Sequence, residues 1–161
     1  VNYPVLSCSP PYGTLIALLL KRIETRSWKT DYRGPLLIHQ TAAPGPKGTT
    51  EAAFWDLCFS EPFRTALPME SPARLPRGKI VALVELVSCT PIGVLPDGTA
   101  TYMAYDEFPP VLTAVQEPEL SFGDYTPGRW AWLLDKVRPL PTPLAARGMP
   151  GLWRWEGELG L

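Results

Sequence analysis

The sequence predicts an α+β fold, a small β-barrel flanked by short α-helices, and three observations carry that expectation. Twenty prolines in 161 residues is more than double the usual fraction of about 5%. Such a density disfavours long helices and favours short strands joined by stiff turns. The run Lys79-Ile80-Val81-Ala82-Leu83-Val84-Glu85-Leu86-Val87 is β-branched and apolar on both faces, as a strand in the middle of a sheet or barrel wall must be. With 45% apolar and 19% charged residues, the chain is globular and can bury a core, and its length suits one domain over residues 1–161.

The elements follow in order. Ser9-Pro10-Pro11 reads as a helix start, a hydroxyl at the N-cap and proline in the first turn, where its missing N–H costs nothing. Thr14 to about Leu20 is then a short, mostly buried helix. From Glu24 the pattern alternates, so that Glu24, Arg26 and Trp28 share one strand face and Thr25 and Ser27 the other. Arg33-Gly34-Pro35 turns into the buried strand Leu36-Leu37-Ile38-His39, and Gly45 to Gly48 is a loop. Thr49 or Thr50 caps a helix carrying Phe54, Trp55, Leu57, Cys58 and Phe59. After the strand at Lys79, residues from about Thr90 to Ser121 form an irregular, proline-broken excursion, a length usually functional or disordered. Arg129-Trp130-Ala131-Trp132-Leu133-Leu134 is another strand, and Gly151-Leu152-Trp153-Arg154-Trp155 closes the chain.

Charge and cysteine usage narrow the function classes. A formal net charge of −1 gives no global basic field to attract a polyanion. Charge is local instead: before Pro35, Lys21, Arg22, Arg26, Lys29 and Arg33 face only Glu24 and Asp31. Cys8, Cys58 and Cys89 are widely spaced without any CxxC, and His39 is the sole histidine. No zinc motif has such spacing, so reduced thiols in a cytoplasmic protein are expected, with no metal and no cofactor. A magnesium held by Glu24 or Glu85 with a phosphate is the one alternative left open. The apolar run Leu15–Leu20 is far shorter than the ~20 residues of a membrane span. It has no basic stretch before it or cleavage site after it, so neither membrane association nor a signal peptide is expected.

Several residues carry two readings. Lys21, ending a helix, either complements the helix dipole or faces a ligand, and the ligand is preferred. Glu24 and Arg26 form a structural ion pair, a binding surface, or both. His39 is more often a satisfied core or rim residue than a ligand. Glu85, inside the most apolar strand, needs a partner, and Arg26 or Arg129 is the expected one. Asp124 to Arg129 is a tight turn that also places Tyr125 and Arg129 to clasp a base and a phosphate. Most of the six tryptophans are core. Trp28, on the face of Glu24 and Arg26, is the stacking candidate, since base–aromatic stacking contributes about 1–3 kcal/mol per base.

Taken together, the blocks Lys21-x-x-Glu24-x-Arg26-Ser27-Trp28, Tyr32-Arg33-Gly34-Pro35-Leu36-Leu37-Ile38-His39, the Ile80–Leu86 strand, Phe122-Gly123-Asp124-Tyr125-x-Pro127-Gly128-Arg129-Trp130-Ala131-Trp132 and Gly151-Leu152-Trp153 resemble the ASCH (activating signal cointegrator homology) family of the PUA-like superfamily. The resemblance runs from about Leu6 to Trp155 and implies a β-barrel of six or so strands, with a cleft beside the first helix and the charged motif. Two slots depart from it. Leu19 stands where the family usually has glycine, which narrows the cleft mouth. Pro10-Pro11 precede Tyr12 where a glutamine is common.

The expected function is binding of RNA, another single-stranded nucleic acid, or a nucleoside. Lys21, Arg26 and Arg33 contact phosphate or polar base edges, Trp28 or Tyr125 stacks, Glu24 accepts from an exocyclic amine, and His39 and Arg129 flank the ligand. The low net charge argues against tight duplex binding. An enzyme is the alternative. The resemblance implies a branch that hydrolyses N4-acetylcytidine with a lysine in the slot of Lys21, and another member viewed as a ribonuclease, in which His39 would assist. In the first branch a threonine nucleophile occupies the slot of Glu24, and a carboxylate does not replace it. Thr25 points to the opposite face, and Asp106 and Glu107 are stand-ins for the additional acid. A third class is a protein-interaction module, as in transcription coactivators carrying this domain, docking through Tyr102, Met103, Tyr105 and Phe108 of the 90–121 segment.

Overall fold

The computed structural model describes residues 1–67, 70–104 and 109–161. The fold is α+β, of the PUA-like kind, with short helices beside a strand framework. Two compact units make up the chain. The first holds Val1–Leu20, Pro35–Val84 and Val137–Leu161; the second holds Lys21–Gly34 and Glu85–Lys136. The long strands β4 (Lys79–Pro91) and β8 (Trp130–Ala145) contribute residues to both.

In the first unit the strand order is β8-β4-β3-β1-β9. β1 (Asn2–Cys8) runs parallel to β3 (Gly34–Gln40), with Val5 opposite Leu37 and Ser7 opposite His39. On its other side β1 pairs antiparallel with β9 (Leu152–Glu156), placing Val5 opposite Trp153. Val5, Leu37, Ile80, Leu140 and Trp153 form one buried cluster of the core, because inward positions recur at every second residue of each strand. In β8 the prolines at 139, 141 and 143 also recur at every second position, so their missing N–H groups fall on one side of the strand, an arrangement tolerated only at an edge or a bulge.

The helices are short. α1 covers Tyr12–Ala17, and α2 (Glu51–Phe59) is capped by Thr50, whose hydroxyl accepts from Ala53 N–H at 3.1 Å as its sequence position requires. α3 (Phe63–Ala66) follows. Ser9 does not cap α1. The N-cap position falls on Pro11, which has no side-chain acceptor, and the buried Gln40 of β3 takes that role, its Oε1 accepting from Thr14 N–H at 2.8 Å. The helix also stops short of Leu20. Leu18, Leu19 and Leu20 are exposed, and Leu19 adopts φ 62°, the left-handed region that favours glycine.

In the second unit β2 (Ile23–Arg26) pairs antiparallel with the start of β8, Ile23 opposite Leu133 and Glu24 opposite Trp132, and β4 lies on the far side of β8. The 90–121 stretch, expected to be irregular, carries a three-stranded antiparallel sheet of β5 (Gly93–Val94), β6 (Ala100–Ala104) and β7 (Val111–Ala114). Each strand is too short to register as a periodic pattern. Its anchor is a core of Ile23, Ile92, Val115, Tyr125 and Ala131. Tyr105, Asp106, Glu107 and Phe108, nominated above as docking residues and stand-in acids, lie outside the described residues.

Candidate functional site

The charged motif begins where β2 begins, and its lysine is fully buried. Lys21 Nζ donates to the backbone carbonyls of Ile23 and Phe122, the second at 2.7 Å. It lies 3.6 Å from Glu24 Oε2 and 3.8 Å from Glu119 Oε1. A buried ammonium requires this: its charge must be balanced by carboxylates and its protons met by acceptors. Glu24 is itself buried, and its second oxygen stands 3.3 Å from Arg26 Nε. Among the described residues the cluster thus sets two cations and two carboxylates around one strand start.

Glu119 holds the cluster together. It opens a 3₁₀ turn over Glu119–Phe122, and its two carboxylate oxygens accept from the backbone N–H groups of Arg22 at 2.9 Å and Ile23 at 3.0 Å. The far end of the same turn supplies the Phe122 carbonyl to Lys21. Sequence reading missed Glu119, because an acid between prolines in an apparently structureless segment carries no periodic or motif signal.

Thr25 takes the opposite role to its neighbours. Its Oγ1 accepts from Asp124 N–H at 3.0 Å, and its carbonyl accepts from Arg129 Nη2 at 3.3 Å. Arg129 Nε also donates to the Asp124 carbonyl at 3.1 Å and lies 3.5 Å from its carboxylate. Hydrogen bonds from Thr126, with Arg129 adding attraction, hold the Asp124 carboxyl below the usual range. Tyr125 is buried, and its hydroxyl has no hydrogen-bond partner among the described residues. Burial first, then the nearby Glu119 and Glu24 carboxylates, push that phenol far above its ordinary value, so it stays protonated.

Trp28 lies past the end of β2, half-buried, with its ring edge-on to the fully buried Trp132 at 4.8 Å and 84°. Its carbonyl accepts from the Trp132 indole at 3.3 Å. Arg33 is exposed and curls back to donate to the Thr30 and Tyr32 carbonyls. A groove of about 690 Å³ is bordered by Arg22, Ile23, Ser88, Tyr102, Glu119 and Asp135. Ile23 and Glu119 belong both to its wall and to the Lys21 cluster. Groove and cluster together can accept a polar, partly apolar ligand with donors and acceptors on one edge.

The structure therefore brings Lys21, Glu24 and Arg26 into direct contact and sets Tyr125 in the field of Glu24. His39 has other partners, Ser7 and the Ala146 carbonyl, within the first unit. Among the described residues no ion pair joins Glu85 to Arg26 or Arg129. Glu85 is half-buried, and Arg26 and Arg129 pair with Glu24 and Asp124 instead. The half-exposed position on β4 lets water solvate the carboxylate. Cys8, Cys58 and Cys89 are in no disulfide, and burial raises the Cys58 thiol to about 11 and also raises Cys89, which keeps both as unreactive thiols. Among the described residues there is no cluster of three or more His, Cys, Asp and Glu side chains placed to hold a metal, and no helix long and apolar enough to cross a membrane.

The strand framework with its short helices is that of a PUA-like α+β domain. The ASCH domain family matches residues 6–122, and the chain belongs to that family. Activating signal cointegrator 1 of Homo sapiens is 33% identical over 85 residues, covering 52% of this chain and 14% of that protein. The Mus musculus protein of the same name is 23% identical over 155 residues, 96% of this chain and 22% of its own length. The chain thus spans less than a quarter of the curated relatives it matches.

Proposed function

We propose that this ASCH domain binds RNA, or a nucleoside presented by it, at the Lys21 cluster and the groove beside it. The observation that carries the reading is the buried Lys21 ammonium held between Glu24 and Glu119, with Ile23 and Glu119 also lining the groove. Fixed charges of both signs at a groove edge suit the mixed donor and acceptor edge of a base. Arg26 and the exposed Arg33 supply positive charge for phosphate, and Trp28 supplies a ring. The net charge of −1 fits recognition of one or a few nucleotides better than salt-driven duplex binding.

The test is calorimetric titration with short single-stranded oligonucleotides and with free nucleosides, alongside Arg26→Ala, Glu24→Gln and Trp28→Ala. Binding that all three weaken while melting stays close to the unsubstituted protein supports the site. Undiminished binding in all three moves the site elsewhere. The first variant should weaken oligonucleotides more than nucleosides, because it removes a phosphate contact.

A hydrolase acting on a modified nucleoside is the second reading, favoured by Glu119, which gives Lys21 a second carboxylate neighbour at 3.8 Å. Among the described residues no hydroxyl is placed against Lys21, and Thr25 Oγ1 accepts from Asp124 N–H instead. Release of acetate from N4-acetylcytidine, lost in Lys21→Arg, would establish it. Docking of a protein on the 90–121 segment is the remaining alternative, and capture of a partner that survives nuclease treatment would favour it.

A further inference from the structure

A second polar device lies in the first unit, built on β1, β3 and β9, and the proposed nucleic-acid site makes no use of it. The Trp153 indole N–H donates to Ser7 Oγ at 3.0 Å. Ser7 Oγ lies 3.1 Å from His39 Nδ1, and His39 Nε2 lies 3.0 Å from the Ala146 carbonyl. The direction of each proton follows from what the groups can do. A carbonyl only accepts, so Nε2 carries the hydrogen and Nδ1 keeps its lone pair. An indole N–H only donates, so one Ser7 lone pair receives it and the Ser7 hydroxyl hydrogen points to Nδ1. Another acceptor in reach of that hydrogen among the described residues, the Met149 carbonyl, stands at 3.5 Å, outside the usual O–H···O range. The result is a serine hydroxyl aimed at a neutral imidazole whose tautomer is fixed by a third group, the constellation of an activated nucleophile.

The imidazole is buried and packed against a ring. Trp153 meets it edge-on at 5.6 Å and 82°, and burial holds its pKa below the ordinary histidine range. The pair also faces open space. Ser7 and His39 line a cavity of about 380 Å³ with Ala42, Arg147, Gly148 and Met149. Gly148 packs directly over the pair: a Cβ there would come 2.6 Å from His39 Cε1, 2.9 Å from Nδ1 and 3.0 Å from Ser7 Oγ. Glycine is the residue that leaves both groups in place. The rest of the wall is mostly apolar, with Thr41 as a further hydroxyl and the exposed Arg147 as its cation.

We infer that Ser7 is a nucleophile and His39 its general base, in a site for a small ester that carries an anionic group for Arg147. Ser7 Oγ attacks the ester carbonyl carbon and its proton passes to His39 Nδ1. The C–O bond to the leaving group breaks, and that proton goes to the departing alkoxide, which leaves as an alcohol. Water then attacks the acyl carbon with His39 taking its proton, and the proton returns to Ser7 Oγ as the carboxylic acid is released. Trp153 is a positioning residue, fixing which Ser7 lone pair is used.

The test is reaction of the unsubstituted protein with a fluorophosphonate, in which an Oγ–P bond forms, fluoride leaves and Nδ1 takes the proton. Peptide mass spectrometry should locate a single adduct on Ser7, absent from Ser7→Ala. His39→Gln should slow labelling about 100-fold or more, the contribution of a general base. The labelling rate of the unsubstituted protein should hold through neutrality and fall only below the ordinary imidazole range, a readout that needs no variant to fold. Absence of an adduct on the folded protein, an adduct on another residue, or a rate that follows hydroxide with no such fall overturns the inference.

Discussion

Lys21 Nζ lies 3.8 Å from the carboxylate of Glu119 and 3.6 Å from that of Glu24, so one buried cation sits between a motif residue and a residue far along the chain. Replacing it by an apolar side chain of similar length leaves two carboxylates in a dry setting with less compensation. Lys21→Met is expected to cost about 3–5 kcal/mol in urea unfolding, the range for breaking a buried pair by removing one partner. Adding Glu119→Gln should restore part of the loss, giving a coupling of the kind contacting residues show. A Lys21→Met variant as stable as the parent would mean the ammonium contributes nothing to holding this strand start.

Glu119 should matter through geometry as much as charge. Its oxygens accept from the N–H groups of both Arg22 and Ile23. Glu119→Ala orphans two donors, at about 1–3 kcal/mol each where they remain buried, whereas Glu119→Gln keeps one oxygen acceptor. The expected order of stability is Glu, then Gln, then Ala. Amide exchange at Arg22 and Ile23 should quicken in the same order, and equal exchange in all three proteins would contradict the assignment.

These two residues also show what the sequence could and could not reveal. Lys21, Glu24 and Arg26 were legible because charges at a strand start have no place in a core, and their spacing puts them in reach of one another. Glu119 was not legible, since its hydrogen bonds go to the backbone of Arg22 and Ile23 and its Lys21 neighbour lies 98 residues away, neither of which leaves a trace in a sequence. The strand at Lys79 was visible from its β-branched run, while β5, β6 and β7 were hidden by having two, five and four residues. The cap of α1 was misassigned to Ser9 for the same reason as Glu119: Gln40 reaches it only through the fold. Ser7 gave no signal either, because its pairing with His39 depends on the parallel register of β1 and β3.

His39 predicts a pH dependence with a defined sign. Burial lowers its pKa in the folded protein from the unfolded value of 6.5, so between the two values the unfolded chain binds more protons than the folded one. Stability therefore rises with pH in that window and is lost as pH falls from about 6.5 toward the folded value. Melting temperature should drop from pH 7.5 to pH 5, and His39→Gln should drop less over the same interval. An equal decline in the two proteins would place the acid sensitivity in the carboxylates instead.

Leu19 offers a gain in stability from backbone physics alone. It is 61% exposed at φ 62°, a conformation that crowds an L side chain and costs roughly 1–2 kcal/mol. Leu19→Gly removes that crowding but raises the entropy of the unfolded chain by about 0.4–1 kcal/mol. The net expectation is a stabilisation of about 0.5 kcal/mol, since little buried apolar surface is lost with so exposed a side chain. Asparagine, which tolerates the left-handed region, should fall between glycine and leucine, and valine should be the worst, because a β-branched side chain is a true outlier there. Denaturant midpoints in the order Gly, Asn, Leu, Val carry the argument. A midpoint for Leu19→Val at or above that of leucine would show that the loop relaxes out of the left-handed region.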